Sequence, residues 1–229
     1  YEPIWEFCAE HGIVVNSHGG TGNPNYGKYS VADLLFITEV SFYSQRPFVQ
    51  LLLSGVFERH PKLQFTMTEQ GCAWLVPMLS HFDAVLDKIQ RTGRMGEMRY
   101  SDEHILPHSA THYFQQNCWV GVSQPGPDDA AARTALGVEK FMWGSDYPHN
   151  EGTAPFTREH LRALFSDAPE AEMRQILAEN TAKLYGFDLD ALAPFAESAG
   201  PTVAELATPL TELPENPNEA LVKSVRGHY

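Results

Sequence analysis

Apolar residues along this chain fall into two patterns, short continuous runs and longer stretches in which they recur every three or four positions. The runs Gly12-Ile-Val-Val-Asn-Ser-His18, Pro61-Lys-Leu-Gln-Phe-Thr-Met-Thr-Glu69, Asn117-Cys-Trp-Val-Gly-Val122 and Phe141-Met-Trp-Gly144 predict four strands. Continuous apolar runs of this length suit strands buried on both faces. Helical spacing predicts the end of a helix before Gly12, with Ile4, Trp5 and Cys8 on one face, and further helices at about 30–44 and 47–59, Pro47 sitting in the first turn of the latter. A long helix is predicted at 71–91, where Trp74, Leu75, Met78, Leu79, Phe82, Val85, Leu86 and Ile89 make one broad core-facing stripe. Shorter helices are predicted near 110–116 and 130–136, and a well-marked one at 168–186 that opens on Pro169 and Glu170 and closes on Gly186.

Strand and helix therefore alternate, which predicts βα units and a parallel sheet. Four such units make half of a (β/α)8 barrel. A sheet that stopped there would leave the runs at 13–16 and 141–143 as flat apolar edges, which soluble proteins avoid. The expectation is the second half of a TIM-type barrel over residues 1–187, with the first half absent from this chain. Residues 188–229 carry Pro194, Pro201, Pro209, Pro214 and Pro217 and are expected to form a tail or arm outside the barrel core, along a partner subunit or the outer wall.

Composition narrows the partners. A formal net charge of −13 with no cluster of Lys and Arg argues against nucleic acid. Cys8, Cys72 and Cys118 are odd in number, far apart and set among apolar residues, so no disulfide framework and a reducing, cytoplasmic setting are expected. No apolar run approaches the roughly 20 residues of a membrane span, and no secretory leader opens the chain. A homo-oligomer acting on a small molecule is expected.

The candidate chemistry lies where the strands stop. His18, Glu69 and Asp146 each follow an apolar run, and in parallel barrels the reacting groups sit at the carboxyl ends of the strands, so the three are expected to converge on one rim. The plainer alternatives are a core histidine for His18 and a turn or capping aspartate for Asp146. His149 follows the Asp146 turn and is a candidate substrate contact or a solvated loop residue. Asn180 is a candidate rim hydrogen-bonder or a helix-surface residue. His60 sits at a helix end, as a C-terminal cap would, and Pro107 breaks any helical metal stripe through His104, His108 and His112.

Four segments, Ser54-Gly-Val-Phe-Glu-Arg-His-Pro-Lys-Leu63, Thr68-Glu-Gln-Gly71 with Trp74, Gly144-Ser-Asp-Tyr-Pro-His149 and Asn180-Thr-Ala-Lys-Leu-Tyr-Gly186, together resemble the carboxyl-terminal half of the metal-dependent amidohydrolase superfamily. The resemblance is to the amidohydrolase-related branch that includes aminocarboxymuconate-semialdehyde decarboxylase, and it covers about residues 1–187. It implies that His18, closing the fifth barrel strand, is a metal ligand. Asp146, closing the eighth, would be both ligand and proton acceptor. The metal implied is Zn²⁺, with Mn²⁺ or another divalent ion as alternatives. The pattern departs in two places: no first-strand HxH pair occurs, and Glu69 stands where the decarboxylases present a histidine.

Three functions follow as expectations. The first is a metal-dependent hydrolase acting on a small carboxylated, amide or ester substrate through metal-activated water, with Asp146 and Glu69 catalytic. The second is a decarboxylase of the same superfamily, from which the glutamate at 69 tilts the balance. The third is a non-catalytic fragment or subunit that needs a partner to complete the barrel. An independent α/β binding module fits less well, because it leaves the apolar edges unexplained.

Overall fold

The structure is a computed structural model and describes residues 1–20 and 22–227. It divides into two compact units, one of residues 1–70 and 74–119, the other of 71–73 and 120–227.

In the first unit, α1 (Glu2–His11) ends at Gly12 in the left-handed region, φ 64°, and the chain turns directly into β1 (Val14–His18). β1 runs parallel to β2 (Gln64–Thr68) in the register Val14 to Gln64 through His18 to Thr68, so both strands finish level. Between them lie α2 (Ala32–Leu53) and α3 (Val56–Arg59). The predicted break near residue 45 is absent, and α2 continues through Pro47. A proline inside a helix removes one backbone bond; burial of Phe48, Leu51 and Leu52 on the same face outweighs that loss. Phe48 lies at the centre of an aromatic cluster, 6.3–6.5 Å from Phe57, Trp74 and Phe114 between ring centroids.

α4 (Leu75–Thr92) buries Leu75, Leu79, Leu86 and Ile89 and stops at Gly93, φ 63°. The polar excursion that follows is a small antiparallel hairpin, β3 (Arg94–Met95) and β4 (Met98–Arg99), with a 3₁₀ turn at Asp102–His104. α5 (Ala110–Asn117) starts on the side chain of Ser109, which accepts from the His112 amide. Its last residue, Asn117, is fully buried and donates to the carbonyls of His60 and Leu63, fixing the approach to β2.

β5 (Cys118–Ser123) crosses the division between the units. In the second unit its residues Val120–Ser123 pair in parallel with β6 (Phe141–Gly144). Cys118, Val120 and Val122 are buried in alternation, as a pleated strand requires. α6 (Pro127–Leu136) and a 3₁₀ turn at Val138–Lys140 lead into β6, and α7 (Thr157–Phe165) follows its loop. Phe141 packs edge-on against Phe165 of α7 at 6.3 Å. The predicted helix at 168–186 is α8 (Glu170–Arg174) and α9 (Asn180–Tyr185), joined by one π-helical segment at Gln175–Glu179.

Residues beyond 187 fold as α10 (Leu189–Ala199), α11 (Val203–Leu206) and α12 (Glu219–Arg226). α12 packs on α7 and α6 and buries Ala220, Leu221 and Ser224. Its prolines lie outside it, which is why a proline-rich segment still supplies an amphipathic helix. Among the described residues no helix is long and apolar enough to cross a membrane.

Candidate metal centre

Each unit carries a group of polar residues where its strands end. In the first, His18 is the last residue of β1 and Glu69 is the first past β2. Gly19 donates its amide to the Thr68 carbonyl, and a Cβ there would stand 2.7 Å from the Glu69 carbonyl oxygen, so only glycine lets the two loops lie this close. The His18 Nδ1 lies 2.8 Å from the Gly19 carbonyl. A carbonyl only accepts, so Nδ1 carries a hydrogen. The ring's Nε2 faces the Glu69 carboxylate at 2.7 Å. That is the distance of an ordinary histidine–carboxylate contact. Gln70, itself buried, donates to the Ser17 carbonyl and hydroxyl and locks the residue after Glu69 onto β1.

In the second unit, Asp146 lies two residues beyond β6 with its side chain 9 % exposed. Both carboxylate oxygens are engaged. Gln124, the first residue past β5, donates Nε2 to Oδ2 at 2.6 Å, and His149 donates Nδ1 to Oδ1 at 2.9 Å. The latter bond leaves the His149 Nε2 as its acceptor at a ring that is 58 % exposed. Asp146, His149 and Glu151 each bring one ligand atom within 4.8 Å of the others. An imidazole nitrogen with carboxylate oxygens is a donor set that suits Zn²⁺ or Mn²⁺.

Backbone conformation marks the same positions. Glu69, Gln124 and Asp146 have φ of 58°, 47° and 59°, left-handed values that glycine favours. Such a conformation costs about 1–3 kcal/mol at a non-glycine residue and persists where the surroundings over-determine it, commonly at functional sites. Of the four such residues among those described, three stand just past β2, β5 and β6, and the fourth, Asn216, lies in the carboxyl-terminal arm.

Gln124 is the residue that sequence pattern misses. It holds the same position relative to its strand as Glu69 does, but an uncharged amide ahead of Pro125 and Gly126 gives no signal beyond that of a turn.

Asn180 is not with these residues. It is buried, 5 % exposed, and donates to the carbonyls of Val138 and Phe141, which places it at the amino end of β6, opposite Asp146. Those carbonyls would otherwise be buried without a donor, so Asn180 anchors a strand and is withdrawn as a substrate contact. His60 pairs with Glu2, whose carboxyl is held down at about 2 by Arg59 first and His60 second. His104 bonds to Ser101, while His108 and His112 stack at 4.1 Å, so the three do not form a common centre.

The loop after Glu69 is held independently. Asp129 of α6 is buried and accepts from the amides of Cys72, Ala73 and Gly126. Burial first, and the Asp129 charge second, push the Cys72 thiol well above its usual range, so Cys72 is a packed, inert residue and no nucleophile.

The family follows from comparison with known proteins. The chain belongs to the amidohydrolase family, whose sequence profile matches residues 1–187. No curated protein matches it by sequence. Solved structures share its fold. An amidohydrolase from Mycobacterium avium subsp. paratuberculosis K-10 is 21 % identical at a TM-score of 0.57, over 82 % of this chain and 46 % of that one. 5-Carboxyvanillate decarboxylase from Sphingomonas paucimobilis is 18 % identical at a TM-score of 0.62, over 81 % and 53 %. A dihydroxybenzoic acid decarboxylase from Polaromonas sp. JS666, solved with manganese and the inhibitor 2-nitroresorcinol, is 15 % identical at a TM-score of 0.52, over 81 % and 53 %. The fold is thus the parallel β/α arrangement of a partial amidohydrolase barrel, and the chain spans about half the length of the structures it matches.

Proposed function

We propose that this chain carries the metal-binding and proton-transferring half of a metal-dependent amidohydrolase-type hydrolase acting on a small amide, ester or carboxylated substrate. The reading rests on one observation above the others, the cluster past β6 in which Asp146, His149 and Glu151 each bring a ligand atom within 4.8 Å of the others. His18 and Asp146 would hold one divalent ion, zinc or manganese. Family membership and the position of each residue at the carboxyl end of a parallel strand support a single shared centre.

A bound divalent ion supplies Lewis acidity toward a substrate carbonyl and makes water a nucleophile near neutral pH. The chain's own residues do the rest. Asp146, oriented by Gln124 and His149, takes a proton from the attacking water and returns it to the leaving group. The Gly19 carbonyl orients the His18 ring, and Glu69, standing at its Nε2, would be a further ligand once an ion parts the two. Glutamate at 69, where the resembling decarboxylases present a histidine, favours hydrolysis over decarboxylation. Decarboxylation is the second reading. It is favoured by the activities named for two of the structural relatives.

Calorimetric titration of the 229-residue chain and its His18→Ala and Asp146→Ala variants with Mn²⁺ tests the shared centre. One equivalent bound by the wild type, weakened at least about tenfold in both variants, is the expected result. Two independent equivalents, each sensitive to one variant only, would mean separate sites. Aryl esters, anilides and hydroxybenzoates assayed for acid release and for carbon dioxide separate the two reactions.

A further inference from the structure

The turn that presents Asp146 is held from outside by the carboxyl-terminal arm. Within residues 145–156 the His149 amide donates to the Asp146 carbonyl, the Gly152 amide to the His149 carbonyl and the Thr153 amide to the Ser145 carbonyl. A Cβ on Gly152 would stand 2.8 Å from the Asp146 carbonyl oxygen and 3.0 Å from those of Ser145 and His149, so the backbone of residue 152 lies directly on that of 146. Whatever fixes Gly152 fixes Asp146.

Asn218, at the start of α12, does so. Its Nδ2 donates to the carbonyls of Gly152 at 2.9 Å and Ala154 at 3.1 Å, while its Oδ1 accepts from the Leu221 amide as the N-cap of α12. This orientation of the amide is the one that pairs every atom, since two carbonyls require donors and one amide requires an acceptor. α12 is a firm mount for it, because Leu221 and Ala220 are buried on the side facing α7 and α6. The same helix lays the Lys223 stem across Gly126, two residues after Gln124. One helix therefore reaches the turns that carry both Asp146 and its amide donor.

We propose that Asn218 is a positioning residue for Asp146, and that the docked carboxyl-terminal arm sets the height and angle of that carboxylate. The proposal rests on the reading of Asp146 as a metal ligand and proton acceptor. Asn218→Asp isolates the effect, because aspartate caps a helix as well as asparagine does but turns an oxygen toward the two carbonyls. Asn218→Ala removes both roles.

In the 229-residue chain, Asn218→Asp is expected to leave the melting temperature within a few degrees of wild type. Hydrogen exchange of the Gly152 and Thr153 amides should quicken about tenfold or more, and Mn²⁺ affinity should fall about tenfold, as when a partner that orients a ligand is lost. Asn218→Ala should add a loss of stability. Unchanged exchange in Asn218→Asp overturns the proposal, and so does faster exchange with unaltered Mn²⁺ affinity. A wild-type chain that takes up no Mn²⁺ removes the metal reading instead, and the exchange comparison alone then decides whether Asn218 holds the Asp146 turn.

Discussion

On the proposed role of Asp146 as ligand and proton acceptor, Asp146→Asn is expected to lower turnover by about 10³-fold or more while leaving the fold intact. Asparagine tolerates the left-handed φ of 59° at this position as aspartate does. Its carbonyl oxygen still accepts from His149, and Gln124 satisfies the new amide by turning its own side chain over. Thermal unfolding should therefore shift little. A variant that loses activity only in proportion to a lost melting transition would show Asp146 to be a turn residue and nothing more.

The second expectation concerns acid. His160 of α7 is fully buried beside Trp143, and among the described residues neither its ring nitrogens nor the Trp143 indole nitrogen has a partner within full hydrogen-bond geometry. Burial, and after it the Lys223 ammonium, lower its pKa from 6.5 to about 4, and the carbonyl of Pro125 offsets only part of that. The unfolded chain thus takes up a proton near pH 6.5 that the folded chain refuses until about pH 4. Stability falls as pH drops through that window and levels off below it, with a total near 3 kcal/mol at about 1.4 kcal/mol per unit. Urea unfolding between pH 7 and 4 measures the slope, and His160→Phe should flatten it. A slope unaffected by that substitution would assign the acid sensitivity to other groups.

How much of this was legible in the sequence depends on range. Strands announce themselves through continuous apolar runs, so β1, β2, β5 and β6 fall within a few residues of expectation. Glycines in the left-handed region at 12, 93 and 186 end helices where the pattern says they should. His18, Glu69 and Asp146 stand at strand ends because an apolar run that stops on a charged or imidazole side chain is a local signal. The residues that hold them are not local. Gln124 reaches Asp146 across 22 positions, and Asn218 reaches Gly152 across 66. Neither carries a charge, a period or a motif, and only the tertiary fold gives their amides a task. Asn180 misled for the opposite reason. It sits in a recognisable segment, yet its amide is spent on strand carbonyls at the far end of β6. Pro47 misled because a local rule about proline yields to the packing of Phe48.

The left-handed residues past β2, β5 and β6 have a consequence for anyone who engineers this chain. Glycine at position 124 would relieve a φ of 47° that glutamine tolerates poorly, and the gain in stability, on the order of 1 kcal/mol, would come with the loss of the amide that steadies Asp146. A library selected for heat resistance would therefore drift toward glycine there, whereas one selected for turnover would keep the glutamine. The three strand ends are where those two selections part company, and enrichment at 69, 124 and 146 under each would map the working site without knowledge of the substrate.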